Sequence, residues 1–501
     1  MKNKKVRILS AFLASLMLVG AFASCAKSGD DDAADTQGAD SVTEAETQLS
    51  DNLPSDLNYG GDTVTIISRD LEGWTRGEVS VEKLNGDPVN DSIYERNKAV
   101  ESRLNVKIES ILDNDSGSGV VPEKVVTAVK AGTSEYDLMA ACSYTTFPHT
   151  LTGSFVNLKN VDYLDLEQPW WTQGFNEAVA YNDMQFMATG SVLLSIYRFA
   201  FVTVFNKDMF TDANQPFLYD TVEAGQWTLD KQTALVPLFY QDDGDGVQEA
   251  EGDIYGFISS KLISTDAYWS SCELDIIKKN ADGVLEVVMD TDKIHSATDK
   301  ILKLYYGTDN GTYALDSYGG DAEQDDIRDM FSQGQGAMAT LRIMALENQA
   351  MRKMEQEYGV VPMPKYDEAQ KDYKTLLHDQ FTVYAVPTTV QGPKQEMVGA
   401  VLEAMGSASY NIVKPAYYEQ TLRTKIAADP QSALMMDIIT EGIYIDLGII
   451  YVDCGVHAGL RSMVGENSNN TSSRFKRIIK TTENKLKQMN KKMEKLAAAG
   501  S

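Results

Sequence analysis

The sequence is poor in cysteine, in histidine and in basic residues. Four cysteines in 501 residues are too few for a disulfide-rich scaffold. Lysine and arginine number 45 against 73 aspartate and glutamate residues, a net charge of −28, which argues against a nucleic-acid-binding protein because such proteins carry a basic surface. Only one stretch, near the N-terminus, is apolar enough to enter a membrane, so a polytopic membrane protein is excluded. The remaining composition is that of a globular protein, and the length predicts two or three domains.

Residues 1–24 have the pattern of a secretory signal peptide. Four basic residues precede an apolar run over 8–22, which is followed by the small residues Ala23 and Ser24. The run is shorter than the ~20 residues that span a bilayer. Cys25 comes next, and the segment resembles the lipobox of bacterial lipoproteins, with Phe22 where leucine is usual. The resemblance implies that Cys25 is lipidated and anchors an extracytoplasmic protein to the cell membrane; secretion with an unmodified Cys25 is the alternative.

Residues 25–58 are predicted to be this lipidated cysteine followed by a disordered acidic tether. Residues 26–58 hold one lysine, nine acidic residues and few large apolar groups, so they cannot bury enough surface to offset the entropy of ordering.

The other three cysteines, Cys142, Cys272 and Cys454, lie among apolar or small residues and are predicted to be buried free thiols.

The body alternates predicted strands with predicted helices. Strands at 63–67, 105–108 and 137–140 alternate with helices at 91–104 and 121–131, an order that favours a parallel sheet covered by helices on both faces. A second round begins with a strand at 201–205. It continues with helices at 228–239, 265–275, 291–305 and 325–332 and with strands at 254–258 and 284–289. The fold class is therefore α/β, with two doubly wound lobes joined by crossing strands.

Short motifs along the body resemble family 1 extracellular solute-binding proteins, the lipoprotein receptors of ABC importers. In chain order they are GTSEYDL at 132–138, VNL at 156–158, PWW at 169–171, FNKDMF at 205–210, QWTL at 226–229, FSQGQGAM at 331–338 and GVVPMP at 359–364. The match covers roughly residues 60–460. The resemblance implies a periplasmic-binding-protein-like fold of type II, in which a ligand cleft lies between two hinged lobes.

The predicted domain boundaries follow from this pattern. Residues 59–192 plus 357–408 would form the first lobe, and residues 193–356 plus 409–465 would form the second lobe and the hinge. Residues 466–501 would form a basic amphipathic helix, because apolar residues recur there at a spacing of three to four and 474–495 hold nine basic and two acidic residues. This helix is expected to lie on its own acidic lobe; contact with a membrane surface or with a partner is the alternative.

Motifs for enzymatic chemistry are absent or lack their context. The sequence has no GxxxxGK[ST], no GxSxG and no HExxH, and the GxGxxA at 334–339 follows a helical pattern instead of a strand.

Residues 242–253 resemble half of a calcium loop, with Asp243, Asp245, the backbone of Val247, Glu249 and Asp253 as candidate ligands of a structural Ca²⁺ ion. An acidic surface turn is the alternative interpretation.

Aromatic and charged side chains in predicted loops are the candidates for ligand binding. Sugars present apolar C–H faces to aromatic rings and hydroxyl groups to polar side chains. Doubly wound folds bind ligands where their strands end. The candidates that follow strands or lie near the crossings are Trp74, Tyr144, Phe147, Trp171, Arg198, Trp269, Arg342 and Asp379.

The sequence as a whole predicts a receptor that delivers a small solute, expected to be an oligosaccharide, to an ABC permease in the membrane. Closure of the two lobes on the ligand would be the mechanism, with no catalytic residue, no cofactor other than the Ca²⁺ considered above, and a monomeric receptor. The alternatives are a surface-anchored lipoprotein that cleaves or captures glycans without a transporter, and a sensor subunit that presents its ligand to a membrane kinase.

Overall fold

The first of two main β-sheets contains strands from both halves of the chain. Its order is β11-β3-β1-β2, with β1 parallel to β2 and β3 and with β11 antiparallel to β3. The strands are β1 (Asp62–Arg69), β2 (Val106–Asp113), β3 (Leu138–Cys142) and β11 (Thr382–Ala385). The computed structural model describes residues 49–114, 118–316, 322–423 and 430–499, all within one compact unit spanning 49–501. The predicted signal peptide and Cys25 lie outside the described residues.

The second sheet has five strands in the order β10-β4-β9-β5-β8. Strands β5, β8 and β9 run parallel, whereas β4 is antiparallel to both β9 and β10. The strands are β4 (Phe201–Asn206), β5 (Phe257–Ser260), β8 (Thr312–Leu315), β9 (Met338–Arg342) and β10 (Tyr358–Pro362), and a small separate hairpin contains β6 (Ile277–Lys279) and β7 (Leu285–Val287). These sheets and their helices confirm the predicted α/β class.

Helices occupy the connections between the strands. In chain order they are α1 (Pro88–Leu104), α2 (Val120–Ala131), α3 (Ser143–Thr150), α4 (Gln173–Val179), α5 (Ser195–Arg198), α6 (Lys207–Asp212), α7 (Leu218–Glu223), α8 (Leu229–Leu235), α9 (Ile263–Ser271), α10 (Thr291–Tyr306), α11 (Ala322–Ser332), α12 (Gln349–Lys353), α13 (Pro393–Ala408), α14 (Lys414–Arg423), α15 (Pro430–Glu441), α16 (Leu447–Ile450), α17 (Val456–Gly465) and α18 (Thr471–Ala498). Among the described residues, no helix has the length and apolar character needed to cross a bilayer.

Helix α1 shows how local sequence sets these boundaries. The side chain of Asp87 accepts hydrogen bonds from the backbone N–H groups of Val89 and Asn90, and Pro88 occupies the first turn, where its missing N–H costs nothing. The helix ends at Asn105, which adopts the left-handed conformation that asparagine tolerates. Strand β2 therefore begins at once, parallel to β1.

Two crossing segments connect the sheets and pair with each other. The N–H of Phe201 donates to the carbonyl of Leu376 at 3.0 Å, and the N–H of His378 donates to the carbonyl of Phe199 at 3.0 Å. This short antiparallel pairing lies just before β4 on one segment and before β11 on the other. The two segments cross between the sheets, and we refer to residues 199–201 and 376–378 as the hinge region.

The C-terminal helix α18 packs against α10, α17 and β7. Phe475, Leu486, Met489 and Met493 are buried on one of its faces. The ring of Phe475 meets that of Trp269 edge to face, with centroids 5.9 Å apart. The helix begins at Thr471, five residues later than the predicted segment.

Three predicted boundaries need correction. Residues 49–58 were expected to belong to the tether, but Asp51 pairs with Arg103 at 2.9 Å and Leu53 is buried in the core of the first lobe. Residues 358–362 were assigned to the first lobe, but they form β10, which pairs with β4 of the second sheet. Residues 409–465 were assigned to the second lobe and the hinge, but within that range α14 packs on α1 of the first lobe. In each case a contact with residues distant in the sequence determines which lobe the segment belongs to.

The three described cysteines are buried and free, as predicted. Burial raises the pKa of the Cys142 thiol to about 11 and those of Cys272 and Cys454 to about 12. These groups therefore remain protonated and serve as small packing residues.

Candidate functional site

The loop after β1 brings Trp74 to the edge where the strands of both lobes end. The hydroxyl of Thr75 donates to the carbonyl of Arg69 at 2.9 Å, and Asp70 Oδ1 accepts from the N–H of Gly77 at 2.9 Å. Gly73 and Gly77 both have positive φ angles of 72° and 80°, which glycine adopts without strain. The loop is therefore a tight, internally bonded turn that presents a half-buried indole.

Glu78 fixes the far end of this loop to the hinge region. Its carboxylate accepts the N–H of Ser195 at 3.0 Å and the hydroxyl of Thr382. Desolvation of this fully buried carboxyl raises its pKa, and the hydrogen bonds from Thr382 and Ser195 oppose that rise. The loop bearing Trp74 is thus attached to both crossing segments.

Arg198, at the end of α5, connects the two lobes. Its Nε and Nη2 atoms each donate to the Glu347 carboxylate at 3.0 Å, a bidentate pair. Its other N–H groups donate to the carbonyls of Trp74 and Gly73. Glu347 follows β9 of the second lobe, and its Oε1 also accepts the hydroxyl of Tyr417 at 2.8 Å. Burial opposes the charge on Arg198, but Glu347 more than compensates and raises the pKa of the guanidinium.

Arg342, the last residue of β9, stacks on the indole of Trp74. Its Cζ lies 5.0 Å from the ring centroid, and the residue is 4% exposed. A guanidinium over an aromatic face is a favourable cation–π arrangement, worth more when it is desolvated. The stack joins the end of β9 in the second lobe to the loop after β1 in the first.

Two cavities adjoin these contacts. One, of about 350 Å³, is lined by Trp74, Arg342 and Arg328 and by the carboxylates of Glu72 and Asp325. The other, of about 380 Å³, is lined by Arg76, Asn90 and Leu194 together with Tyr417. Arg198 and Glu347 line both cavities. This mixture of one ring with many hydrogen-bonding groups suits a polar ligand with apolar C–H faces.

A charged cluster lies on the other side of the hinge region. Asp266 of α9 receives two hydrogen bonds from Arg461 of α17, one of them at 2.8 Å, and lies 3.2 Å from Nδ1 of His457. Desolvation would raise the pKa of Asp266, but His457 and Arg461 lower it. Conversely, Asp266 raises the pKa of His457 against the effect of burial. His457 and Arg461 line a third cavity of about 510 Å³ together with Lys261, Leu262 and Asp379.

His378 and Asp379 lie in the crossing segment between these two regions. The ring of His378 packs edge to face against Trp74, with centroids 5.5 Å apart. Burial, and secondly the charge of Arg342, hold the pKa of His378 well below its usual range, so this imidazole is neutral. The carbonyl of Asp379 accepts the hydroxyl of Ser143 at 2.5 Å, which links the crossing segment to the end of β3.

Arg69, at the end of β1, was not among the predicted residues. Its side chain is 3% exposed, and one N–H group donates to Gln380 at 2.7 Å. Its Nε and Nη1 atoms are buried without a hydrogen-bond partner among the described residues. A buried guanidinium contributes positive potential to this edge of the first lobe.

Four of the eight predicted ligand-binding residues line cavities, three of them at the lobe boundary and one at the third cavity, and their role in ligand binding stays a prediction. Trp74, Arg198 and Arg342 line the cavities at the lobe boundary, and Asp379 lines the third cavity. Tyr144 is half-buried at the end of β3, where its hydroxyl contacts that of Ser118 at 2.7 Å; it lines none of these three cavities.

The other three predicted residues lie in hydrophobic cores instead of the cleft. Phe147 is 2% exposed and packs edge to face on Tyr451. Trp171 is 2% exposed, and its Nε1 donates to Glu403 at 3.3 Å. Trp269 lies inside α9, where it packs against Phe475. Each ring is buried by a partner from a distant part of the chain.

The acidic loop brings together only part of the predicted calcium ligands. Asp243 and Asp245 lie close together, joined by Asp242, which was not predicted, and all three are exposed. Asp253 is 1% exposed and instead accepts hydrogen bonds from the N–H of Asp243 at 3.1 Å and the hydroxyl of Tyr255 at 2.9 Å. Glu249 and Val247 are outside the group of three aspartates. A Ca²⁺ site here stays a prediction.

Several solved structures resemble this chain. A sugar transporter from Rhizobium etli in an open conformation has a TM-score of 0.55 at 14% identity, with coverage of 84% of this chain and 98% of that chain. The maltose/maltodextrin-binding domain MalE from Bdellovibrio bacteriovorus, bound to maltotriose, has a TM-score of 0.51 at 14% identity, covering 85% and 100%. A solute-binding protein of an ABC transporter from Thermotoga lettingae, bound to α-D-tagatose, has a TM-score of 0.51 at 17% identity, covering 86% and 100%.

No family model and no curated protein matches the sequence. The structural likenesses nevertheless extend over both lobes and nearly the whole of each compared chain. The chain therefore has the type II periplasmic-binding fold of MalE-like solute-binding proteins, which confirms, at the level of the fold, the predicted resemblance to family 1 extracellular solute-binding proteins.

Proposed function

We propose that this protein is an extracytoplasmic receptor that binds a carbohydrate between its lobes and delivers it to an ABC transporter permease. The observation that carries the proposal is the stacking of Arg342 on Trp74 across the lobe boundary, beside a cavity of about 350 Å³ lined by arginines and carboxylates. An indole face covers the C–H face of a sugar, and charged side chains pair with its hydroxyls. The solute-binding proteins of similar fold, solved with maltotriose and with tagatose, support the same class of ligand.

The mechanism that we propose is closure of the lobes on the ligand. A ligand that touches Trp74 from the first lobe and Arg342 or Glu347 from the second binds the closed form better than the open form, and it shifts the population by that difference in affinity. The paired crossing segments at 199–201 and 376–378 would act as the hinge. Binding and release require no bond to be broken, so we assign no catalytic residue.

A calorimetric and thermal-shift screen of mono- and oligosaccharides tests the ligand class. We expect at least one saccharide to stabilise the protein and Trp74→Ala to weaken its binding at least about tenfold, because the stacking surface is lost. Tyr94→Ala is a matched control, since Lys98 lies 5.6 Å from the centroid of this ring in α1 and Tyr94 lines neither cavity at the lobe boundary. Stabilisation by peptides with none by any sugar would refute the carbohydrate assignment. Cleaved glycan after incubation would instead indicate an enzyme.

We also propose that Cys25 carries lipid and holds the receptor at the membrane as a monomer. The support is the order of basic residues, short apolar run, small residues and cysteine over residues 2–25. We expect labelled palmitate to be incorporated into the unaltered protein and lost in Cys25→Ser, which should appear in the soluble fraction. Equal labelling of both proteins would contradict the anchor. Co-purification with a permease from membranes tests the proposed partner.

A further inference from the structure

The outer face of α18 carries a row of exposed basic side chains, here called the cationic stripe. Arg474 pairs with Glu466 at 2.7 Å and Lys485 pairs with Asp453 at 3.0 Å. The other seven basic residues of the helix are exposed, and none of them has an ion-pair partner within the described part of the chain. They are Lys476, Arg477, Lys480, Lys487, Lys491, Lys492 and Lys495.

The cationic stripe lies opposite the buried face of the helix. At about 100° per residue, six of its seven members fall within an arc of about 100°. The buried residues Phe475, Leu486, Met489 and Met493 lie on the reverse side. With a rise of about 1.5 Å per residue, the stripe is nearly 30 Å long. The packing of the buried face fixes the helix to the second lobe, so that these charges already point together into solvent.

The charge of this face contrasts with that of the rest of the molecule. The helix holds nine basic and two acidic residues, whereas the whole chain carries −28. An anionic surface therefore repels the net charge of the protein but attracts this face. Salt screens such an attraction, because the Debye length is roughly 8 Å at physiological ionic strength. Only an anionic surface in near contact with the helix would therefore bind the helix.

The residue types indicate a diffuse anionic surface as the occupant. Six of the seven members are lysines, which act as mobile point charges, and one is arginine, the residue suited to bidentate recognition. Along α18, no large apolar side chain is exposed, so the helix has nothing to insert among acyl chains and would rest on head groups. We propose that the cationic stripe binds anionic phospholipids and orients the protein on the membrane surface. This proposal is independent of the ligand that the cleft binds.

Co-sedimentation with vesicles tests the proposal without the lipid anchor. The chain from residue 26 onward, which contains all described residues, is mixed with vesicles of phosphatidylcholine alone or of equal parts phosphatidylcholine and phosphatidylglycerol. We expect binding only to the mixed vesicles and its loss at high salt. The triple variant K480E/K487E/K491E should bind about a hundredfold more weakly or worse, from roughly 1 kcal/mol for each lysine near the surface.

The matched control is K107E/K231E/K371E, which makes the same change in net charge at three exposed lysines outside α18. We expect this control to bind mixed vesicles within a fewfold of the unaltered chain. Equal loss in both triple variants would overturn the proposal, because net charge alone would then explain the effect. Binding that does not weaken with salt would also overturn it.

Two further measurements keep the result interpretable. Unfolding curves for both triple variants should match that of the unaltered chain, because all six side chains are exposed. A soluble polyglutamate is offered as a second anion. Binding to polyglutamate with none to the mixed vesicles would overturn the lipid assignment in favour of an acidic protein partner.

Discussion

Two charge clusters flank the hinge region, one partly buried and one with a buried carboxylate at its centre, and they differ in what they connect. Arg198 and Glu347 join the lobes, because Arg198 also holds the carbonyls of Gly73 and Trp74. The cluster of Asp266, His457 and Arg461 lies within the second lobe, between α9 and α17. The first set of contacts would change when the lobes move, whereas the second would travel with its lobe. Similar chemistry would then serve stability in the second cluster and the balance between open and closed lobes in the first.

The largest effect should come from removing the carboxylate at the centre of the second-lobe cluster. Asp266→Ala leaves Arg461 and His457 without their counter-ion, and removing one partner of a buried ion pair costs about 3–5 kcal/mol of unfolding free energy. Asp372→Ala is the control, because Asp372 is exposed and 3.9 Å from Lys374; its loss should cost under about 1 kcal/mol. Denaturant unfolding measures both values. Equal costs would remove the distinction between the clusters.

Glu403 sharpens the comparison, because it is a buried carboxyl with no ion pair among the described residues. Burial raises its pKa to about 7, although hydrogen bonds from the N–H of Asp165 and from Trp171 lower it. The unfolded chain has the ordinary value, so the folded protein loses stability as pH rises from about 4.5 through 7, by about 3 kcal/mol in total.

Glu403→Gln should abolish that loss, since the amide cannot ionise and its oxygen still accepts hydrogen bonds. We expect the variant to gain stability relative to the unaltered protein between pH 5 and pH 8, as measured by urea unfolding at each pH. Glu396→Gln on the same helix is the control, because its side chain lies at the partly exposed hydroxyl of Tyr59. A difference between Glu403→Gln and the unaltered protein that does not vary with pH would contradict the assignment.

Breaking the pair that joins the lobes should affect stability less and conformation more. In Glu347→Gln the Arg198 side chain keeps its bonds to the carbonyls of Gly73 and Trp74, so the loss of unfolding free energy should be about 1–2 kcal/mol. We expect ligand affinity to change several-fold, because the balance between open and closed lobes shifts. Small-angle scattering of the ligand-free variant measures that balance. An unchanged scattering curve and an unchanged affinity would show that the pair does not control closure.

The smallest effect is expected for Tyr417→Phe. This change removes only the hydroxyl that donates to Glu347 Oε1 at 2.8 Å, and a single hydrogen bond of this kind contributes about 1 kcal/mol. Combined with Glu347→Ala, which removes the acceptor, in a double-mutant cycle, it should show a coupling energy, because the two residues are in contact. Additive effects would mean that the tyrosine acts elsewhere.

The fold could be predicted because the spacing of apolar residues within each short segment indicates whether that segment forms a strand or a helix. The run at 63–67 and the helical spacing at 91–104 became β1 and α1 with small shifts of boundary. The positions of Trp74, Arg198 and Arg342 beside the cavities at the lobe boundary could be predicted for a similar reason, since each follows a strand or precedes a crossing.

The misplaced aromatic residues show where local pattern fails. Trp269 is buried by Phe475, which lies some two hundred residues further along the chain. The residues next to Trp269 in the sequence do not predict that contact. The central carboxylates Glu78, Asp266 and Glu347 were missed for another reason. They are three of 73 acidic residues, and only the folded chain shows which of them meet a cation or a backbone N–H in the interior.

Residues 49–53 contact the first lobe, and this contact limits the length of the segment that can connect the lobe to a lipid at Cys25. Asp51 is held by Arg103, and the N–H of Leu49 donates to Asn411 at 3.1 Å, so the part of the chain that is fixed to the first lobe extends at least to Leu49. From Cys25 to Leu49 the chain can span at most about 85 Å, whatever its conformation. If Cys25 is lipidated as proposed, Leu49 therefore lies within that distance of the bilayer surface. Shortening the segment between Cys25 and Leu49 would reduce this distance and would limit the orientations in which the receptor could meet a transporter.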